Sequence, residues 1–433
     1  MNKMSELKIC RICKSQNLED VIDIGEQYLT SRFPSNIKDS IPICPIVLSK
    51  CSDCGLVQLK NTISNFEMYE DMYGYRSGIN QSMKTHLQNY AMEVLSKINF
   101  SENDYVLDIG CNDGTFLRNF SQTSNLFGID PTAKQFLSYH NNLNIISNYF
   151  TYDNLYEKIS KDIKFKIISS ISMFYDLPDP VQFAKDIASC LHPEGLWTLE
   201  QSYILTMLEK NSFDTICHEH LEYYGLKQIK RIMDEAKLKI IDIKFNDCNG
   251  GSFRVYVAHQ SNTNFHECVD LIYEIFMNES KLMENETYKN FMDRCDIEMQ
   301  KLNLLIETIH KNNQKIYIYG ASTKGNTLLQ YAKINNQQIP YAVERNPLKY
   351  GRFTPGTNIQ IISEEEMRDH PPEYLLVLPW HFRNEIIQRE SKFLENGGKL
   401  IFPLPKLEIF STNENLLITG ITGQLGTCAK KNL

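Results

Sequence analysis

Strand and helix patterns alternate twice along the 433-residue chain, and two Cys-x-x-Cys pairs stand ahead of the first alternation. Together these predict an α/β protein: an N-terminal metal-binding segment, a doubly wound mostly parallel sheet of Rossmann-like kind, and a second C-terminal Rossmann-like domain. The boundaries fall at 1–70 for the metal-binding segment, 71–262 for the first α/β domain, 263–312 for a helical connector, 313–410 for the second α/β domain and 411–433 for a tail.

The first segment is short of long apolar runs and carries Cys10, Cys13, Cys51 and Cys54. Two thiolates on each tight turn can reach one tetrahedral Zn²⁺, with Gly55 easing the second turn, and the metal then supplies the cross-linking that a core would otherwise provide. Four thiolates close the coordination sphere, so the expected zinc is structural. Cys44 lies outside both pairs.

The first alternation runs YVLDIG, a helix from Gly114, LFGID, a helix from Thr132, IISNYF, KFKIISSI, a helix from Val181, and LWTLEQ. An amphipathic helix near 226–236 and the strands KIIDIKF and SFRVYVAH follow, joined through Asn249-Gly250-Gly251. Residues 265–313 carry the apolar stripe of long helices. The second alternation then reads KIYIYG, a helix from Thr323, PYAVE, IQIIS, YLLVLPW, a helix near 382–395, and KLIFPLP.

Within the first alternation, Asp108-Ile109-Gly110-Cys111-Asn112-Asp113-Gly114 joins a buried strand to the next element, where glycine admits a ligand close to the backbone. Asn112 replaces the second glycine of a dinucleotide fingerprint, which disfavours an NAD pyrophosphate. Asp130 ends the following strand, placed to accept hydrogen bonds from both hydroxyls of a ribose. With the turn His192-Pro193-Glu194-Gly195, this order points to S-adenosylmethionine (SAM) and a class I methyltransferase domain, with Asp108, Gly110, Asn112, Gly114 and Asp130 as its cofactor-binding residues.

Thr215-Ile216-Cys217-His218-Glu219-His220-Leu221-Glu222-Tyr223-Tyr224 packs imidazoles, carboxylates and phenols into a stretch without helical or strand periodicity. Such density suggests acid-base chemistry, and no HExxH motif or third ligand suggests a metal there. Tyr73-Gly74-Tyr75-Arg76-Ser77-Gly78 bridges the metal segment and the SAM domain. Tyr319-Gly320-Ala321-Ser322-Thr323-Lys324-Gly325-Asn326 sets glycines and hydroxyls at a helix N-terminus, a seat for phosphate that lacks the Walker A order.

Lys plus Arg number 45 against 53 for Asp plus Glu, a net charge of −8. A general nucleic-acid or anionic-membrane binder is more often basic, so a small-molecule substrate is expected. The N-terminus lacks a secretory apolar region and no run of ~20 apolar residues occurs, which makes the cytoplasm the expected compartment.

In these motifs the chain resembles the zinc-containing, SAM-dependent sugar C-methyltransferases that act on nucleotide-linked 4-keto-deoxysugars. The resemblance runs from Cys10 to about Pro405. It includes the Cys-x-x-Cys pairs, YxYRSG, DIGxNDG, HEHLxYY, NGGSFR, YGASTKGN and Asn346-Pro347-Leu348-Lys349-x-Gly351 through Pro355-Gly356-Thr357.

The resemblance implies that His220 is the base, with Glu219 beside it and His218 in the same run. It also implies that Asn249, Ser322 and Lys324 help hold the nucleotide sugar between the two α/β domains. Where the family commonly has a tyrosine before HEH, this chain has Cys217, leaving Tyr75, Tyr223 or Tyr224 to supply a phenol. The product would be a branched sugar for a surface polysaccharide or a glycosylated metabolite. O-methylation and a zinc-containing nucleic-acid methyltransferase are the alternatives. The tail from Leu416 to Gly426 looks like the opening of a nucleotide-sugar dehydratase and is expected to be a vestige or a disordered end.

Overall fold

The computed structural model describes residues 4–63, 76–412 and 415–417. Tyr73 and Tyr75 lie outside the described residues, as does the glycine-rich part of the tail.

The N-terminal segment forms an antiparallel sheet in the order Glu222–Tyr223, Val57–Leu59, Ile43–Cys51, Leu18–Tyr28. Its edge strand therefore comes from the end of the His-Glu-His run, pairing Glu222 with Gln58 and Tyr223 with Val57. Ile22, Ile46, Leu48, Leu56 and Val57 are buried in one apolar cluster with Leu107, Ile168 and Trp197 of the central sheet. The segment has too few apolar residues for a separate interior, and it shares its neighbour's.

The central sheet has seven strands in the order Leu238–Asn246, Ser252–His259, Leu191–Ser202, Phe165–Ile171, Tyr105–Ile109, Leu126–Ile129 and Asn144–Ile146. All neighbours are parallel except around Ser252–His259, which runs antiparallel to both of its neighbours. Both faces are covered, so the inner strands are continuously buried, as the six buried residues opening Phe165–Ile171 illustrate.

Two helices expected from the sequence are shorter and tighter than their pattern suggests. After Gly114 there is only the 3₁₀ turn Leu117–Asn119, because the polar run that follows is drawn off the helix: Thr123 Oγ1 donates to the carbonyls of Glu102 and Asp104 at 2.9 and 3.0 Å. After Thr132 the chain makes the 3₁₀ segment Ala133–Tyr139, kinked at Phe136.

The connector is the helices Val269–Asn278 and Asn285–Lys311. The longer one buries Tyr288, Phe291, Cys295, Met299, Leu302, Ile306 and Ile309, the spacing of three and four that one helical face requires. The second α/β domain is a sheet in the order Gln360–Ser363, Tyr341–Glu344, Ile316–Tyr319, Tyr374–Val377, Lys399–Phe402, Glu408–Phe410, Asn415–Leu417, the last two antiparallel additions. The start of the tail, expected to be a vestige or disordered, thus forms an edge strand.

The helix Thr323–Tyr331 of this domain binds it to the N-terminal segment, since Asn326 Nδ2 donates to Thr30 O at 2.6 Å and the Gln330 amide pairs with the backbone of Tyr28. Among the described residues no helix is long and apolar enough to cross a membrane.

Candidate functional site

The four cysteines of the paired motifs converge, all four sulfurs lying within 4.8 Å of one another. Cys10 Sγ is 3.6 Å from Cys54 Sγ, and Cys13 Sγ is 3.5 Å from Cys51 Sγ. A tetrahedral ion with Zn–S bonds of ~2.3 Å requires sulfur separations of ~3.7 Å. The cage fits zinc and offers no open position.

Two large cavities meet at the carboxyl ends of the central strands. The first, about 340 Å³, opens where the chain order reverses at Tyr105–Ile109, the position at which open α/β sheets take ligands. Asp108, Gly110, Asn112 and Asp130 line it. Gly110 has φ +77°, and a Cβ there would sit 3.1 Å from Met173 Cγ, so the bare backbone is needed. Asn112 also holds a positive φ, of 50°.

Asp130 fixes this loop as well as facing the cavity: its Oδ2 accepts from Asn112 N at 2.8 Å, and its Oδ1 from Thr132 N and Oγ1 at 2.7 and 2.6 Å. Burial pushes the Asp108 carboxyl up to about 7; Ser169 Oγ, donating at 2.6 Å, pulls the other way, and the Asp130 charge adds to the rise. Met173, Phe150, Leu177 and Phe183 supply apolar wall for a purine. A carboxylate for a ribose, a bare glycine and an apolar slot fit SAM.

Gly114 does not line this cavity. Its φ is +76°, and a Cβ would meet Leu143 Cδ1 at 2.4 Å, so the turn itself requires glycine there. Ser77 N donates to Asn112 Oδ1 and Gly78 N to Asp113 Oδ2, both at 3.0 Å, which ties the described end of the YRSG motif to the loop.

The second cavity, about 330 Å³, lies between the α/β domains, with Ser31 and Phe33 of the N-terminal segment in its wall. It brings together Glu219, His220, Asn249, Ser322 and Lys324, residues far apart in the sequence. Ser172, at the end of strand Phe165–Ile171 with φ +53°, lines both cavities, and its Oγ accepts from Asn249 Nδ2 at 3.2 Å.

His220 Nδ1 donates to Thr215 O at 2.7 Å, which leaves Nε2 as the acceptor, and the ring packs 4.2 Å from that of Tyr175. Burial and then the Lys324 charge push its pKa down to about 3 against the pull of the Thr215 carbonyl, so the imidazole is neutral. Burial also raises the pKa of Glu219, whose Oε2 faces Cys217 Sγ at 3.7 Å. Lys324 Nζ donates to Asn249 O at 3.1 Å, and Ser322 caps the helix by accepting from Gly325 N.

Three expected site residues stand elsewhere. His218 is buried against the N-terminal segment, its Nε2 donating to Cys44 O at 3.0 Å. Tyr224 packs on Phe174 in the core, with ring centres 5.5 Å apart, because alternation along Glu222–Tyr223 and beyond sends it away from the cleft. Tyr223 reaches only a small cavity behind His220. Sequence reasoning missed Ser172, Met173, Tyr175 and His381. The first two stood in plain view just past the end of a central strand, a position that itself marks a ligand wall. The others are brought in by packing alone.

Comparison with known proteins agrees with this division. Residues 10–69 match the family model described as "Putative zinc binding domain", 83–243 that described as "Methyltransferase domain", and 247–405 that described as "C-methyltransferase C-terminal domain". C-methyltransferase NovU of Streptomyces niveus is 28% identical over 414 residues, covering 94% of this chain and 98% of that one. A tRNA U34 carboxymethyltransferase of Campylobacter lari is 28% identical over 122 residues, 27% of this chain and 40% of its own. A SAM-dependent methyltransferase structure from Clostridium acetobutylicum overlaps 41% of this chain and 92% of its own, with 13% identity and a TM-score of 0.33. The chain is a SAM-dependent methyltransferase whose cofactor domain stands between a four-cysteine zinc-binding segment and a second α/β domain.

Proposed function

We propose that the protein transfers a methyl group to carbon on a nucleotide-linked 4-keto-deoxysugar. The observation that carries this reading is the shared wall at Ser172: a cavity fit for SAM adjoins a cleft that holds an imidazole with one nitrogen already committed. Likeness to a relative named a C-methyltransferase over nearly the whole chain supports carbon as the acceptor.

SAM supplies an electrophilic methyl when bound. The rest is the work of this chain's side chains. Thr215 fixes the His220 tautomer, so that Nε2 can take the proton next to a ketone. The neutral ring is in the protonation state a base requires. Lys324 and Ser322, at the N-terminus of Thr323–Tyr331, suit a diphosphate. A diphosphate against Lys324 would offset the charge that depresses His220 and make the ring more basic when the substrate arrives. Glu219 and Asn249 line the same cleft for sugar hydroxyls.

The test is incubation with labelled SAM and a panel of 4-keto nucleotide sugars, the methyl then being located by NMR. Deuterium entering next to the ketone without SAM supports carbon chemistry. A methyl found on oxygen, with no such exchange, would overturn it in favour of O-methylation.

A further inference from the structure

His381 is a second imidazole on the cleft wall, and it comes from the opposite side: the turn Trp380–Phe382 of the C-terminal domain. The turn is rigidly docked. Trp380 is buried, its Nε1 donates to Asp214 Oδ2 at 2.9 Å, and its indole closes on Gly250, where a Cβ would stand 3.2 Å from the ring. Asp214 and Thr215 belong to one turn, Phe213–Thr215, and Thr215 is the residue whose carbonyl orients His220. One short element thus sets the positions of both rings.

Their hydrogen bonding differs. His220 has a protein partner for Nδ1, whereas the Nδ1 of His381 is buried and has none among the described residues. The His381 ring is held by edge and tilted contacts to Trp380 and Phe382, at 5.8 and 4.4 Å between centres, which fix it without satisfying it. Buried polar groups normally find a partner, and an imidazole that lines a ligand cleft with no protein hydrogen bond to its ring among the described residues has its N–H free for a group that arrives with the ligand. Burial and the Lys324 charge hold this imidazole at about 3, like His220, so at neutral pH it carries a single N–H.

Resting on the enolate reading above, we propose that His381 is a catalytic residue that donates its N–H hydrogen bond to the substrate oxygen on which charge collects when His220 removes the carbon-bound proton. The C–H electron pair moves into the ketone, leaving the proton on His220 and the negative charge on the oxygen facing His381. The electron pair then returns through carbon to form the new C–C bond with the methyl, and the sulfonium sulfur keeps the electrons of the broken C–S bond as neutral sulfide. His381 retains its proton throughout, and a donor placed where charge develops acts mainly on the barrier.

The experiment uses the full chain with dTDP- and GDP-linked 4-keto-6-deoxyhexoses, measuring deuterium exchange without SAM and methyl transfer with it. His381→Ala should lower both rates by about 10²–10³-fold, the loss typical of one such donor, chiefly in kcat with SAM affinity unchanged. His381→Gln, which keeps an amide N–H, should recover at least about a tenth of the wild-type rate. Exchange by the wild type with an undiminished His381→Ala variant overturns the role of His381 alone. A loss in both variants that tracks a fall in melting temperature overturns it too, by marking a structural residue. No exchange by the wild type on any of these sugars overturns the enolate reading, and this proposal with it.

Discussion

The two cavities are of nearly equal size, yet they are built in opposite ways. The cofactor cavity is lined from within one domain, by several loops between Ser77 and Cys248, and Asp130 braces the Asp108 to Asn112 loop from the next strand. The substrate cleft is assembled from the N-terminal segment, the His-Glu-His run, the Asn249 turn and the C-terminal domain. A single domain makes the first, whereas three parts of the chain make the second. A defect in the loop should therefore stay local, while the cleft should respond to changes at several distant places.

The largest effect should come from His220→Ala. Methyl transfer should fall by about 10²–10⁴-fold, the contribution of a positioned base, while SAM binding measured by calorimetry stays at the wild-type value. Weakened SAM binding would break the claim that the cavities are separable. Cys54→Ser should release zinc, read by metal analysis, and cost ~3 kcal/mol or more in denaturant unfolding, since the metal stands in for apolar packing. It should harm the cleft before the cofactor cavity, because Ser31 and Phe33 lie in the cleft wall.

Asp130→Ala should raise the SAM Kd by about 10–100-fold, matching the loss of ~1.5–3 kcal/mol from hydrogen bonds to a charged acceptor. Deuterium exchange at the substrate without SAM should survive in this variant, which sharpens the contrast with His220→Ala.

In the pH dependence the two regions should differ in sign. His218, His220 and His381 have pKa values lowered by burial to about 4, 3 and 3, against ~6.5 unfolded. Below pH ~6.5 the unfolded chain takes up more protons at these sites, so their contribution to stability falls as pH falls from ~6.5 toward 3–4.

His86, beside the cofactor cavity, goes the other way. Burial lowers its pKa, but hydrogen bonds to Cys248 and Glu200 outweigh that and raise it to about 10. Its contribution is full below ~6.5 and is lost as pH rises toward 10. Chemical unfolding across pH should show both limbs, and His86→Gln should flatten only the alkaline one.

Legibility in the sequence follows the same division. The strands of both α/β domains, though not their order in the sheets, are marked by apolar runs such as Tyr374–Val377, and the cysteine spacing specifies the cage that the sulfurs form. Gly110 and Asp130 could be placed because their chemistry depends on a few neighbouring residues. Residue chemistry alone does not separate His218 from His220, and only the resemblance points to the second; two residues along an irregular turn send one ring to the Cys44 carbonyl and the other to the cleft. Tyr224 and Tyr223 look like ligands in a list of phenols, yet burial decides otherwise. His381 follows an ordinary strand, and only the docking of Trp380 on Asp214 gives it a place.

The four-stranded N-terminal sheet is completed by Glu222 and Tyr223, and Arg11, between the first two cysteines, reaches Glu222 Oε1 at 3.3 Å and the carbonyl of Leu221 at 3.4 Å. A graft that exchanged only the first seventy or so residues with those of a relative would import a sheet missing its outermost strand and a guanidinium missing its carboxylate. Chimeras among such proteins must transplant the His-Glu-His loop together with the cysteine fingers, for the two have been sewn into one fabric.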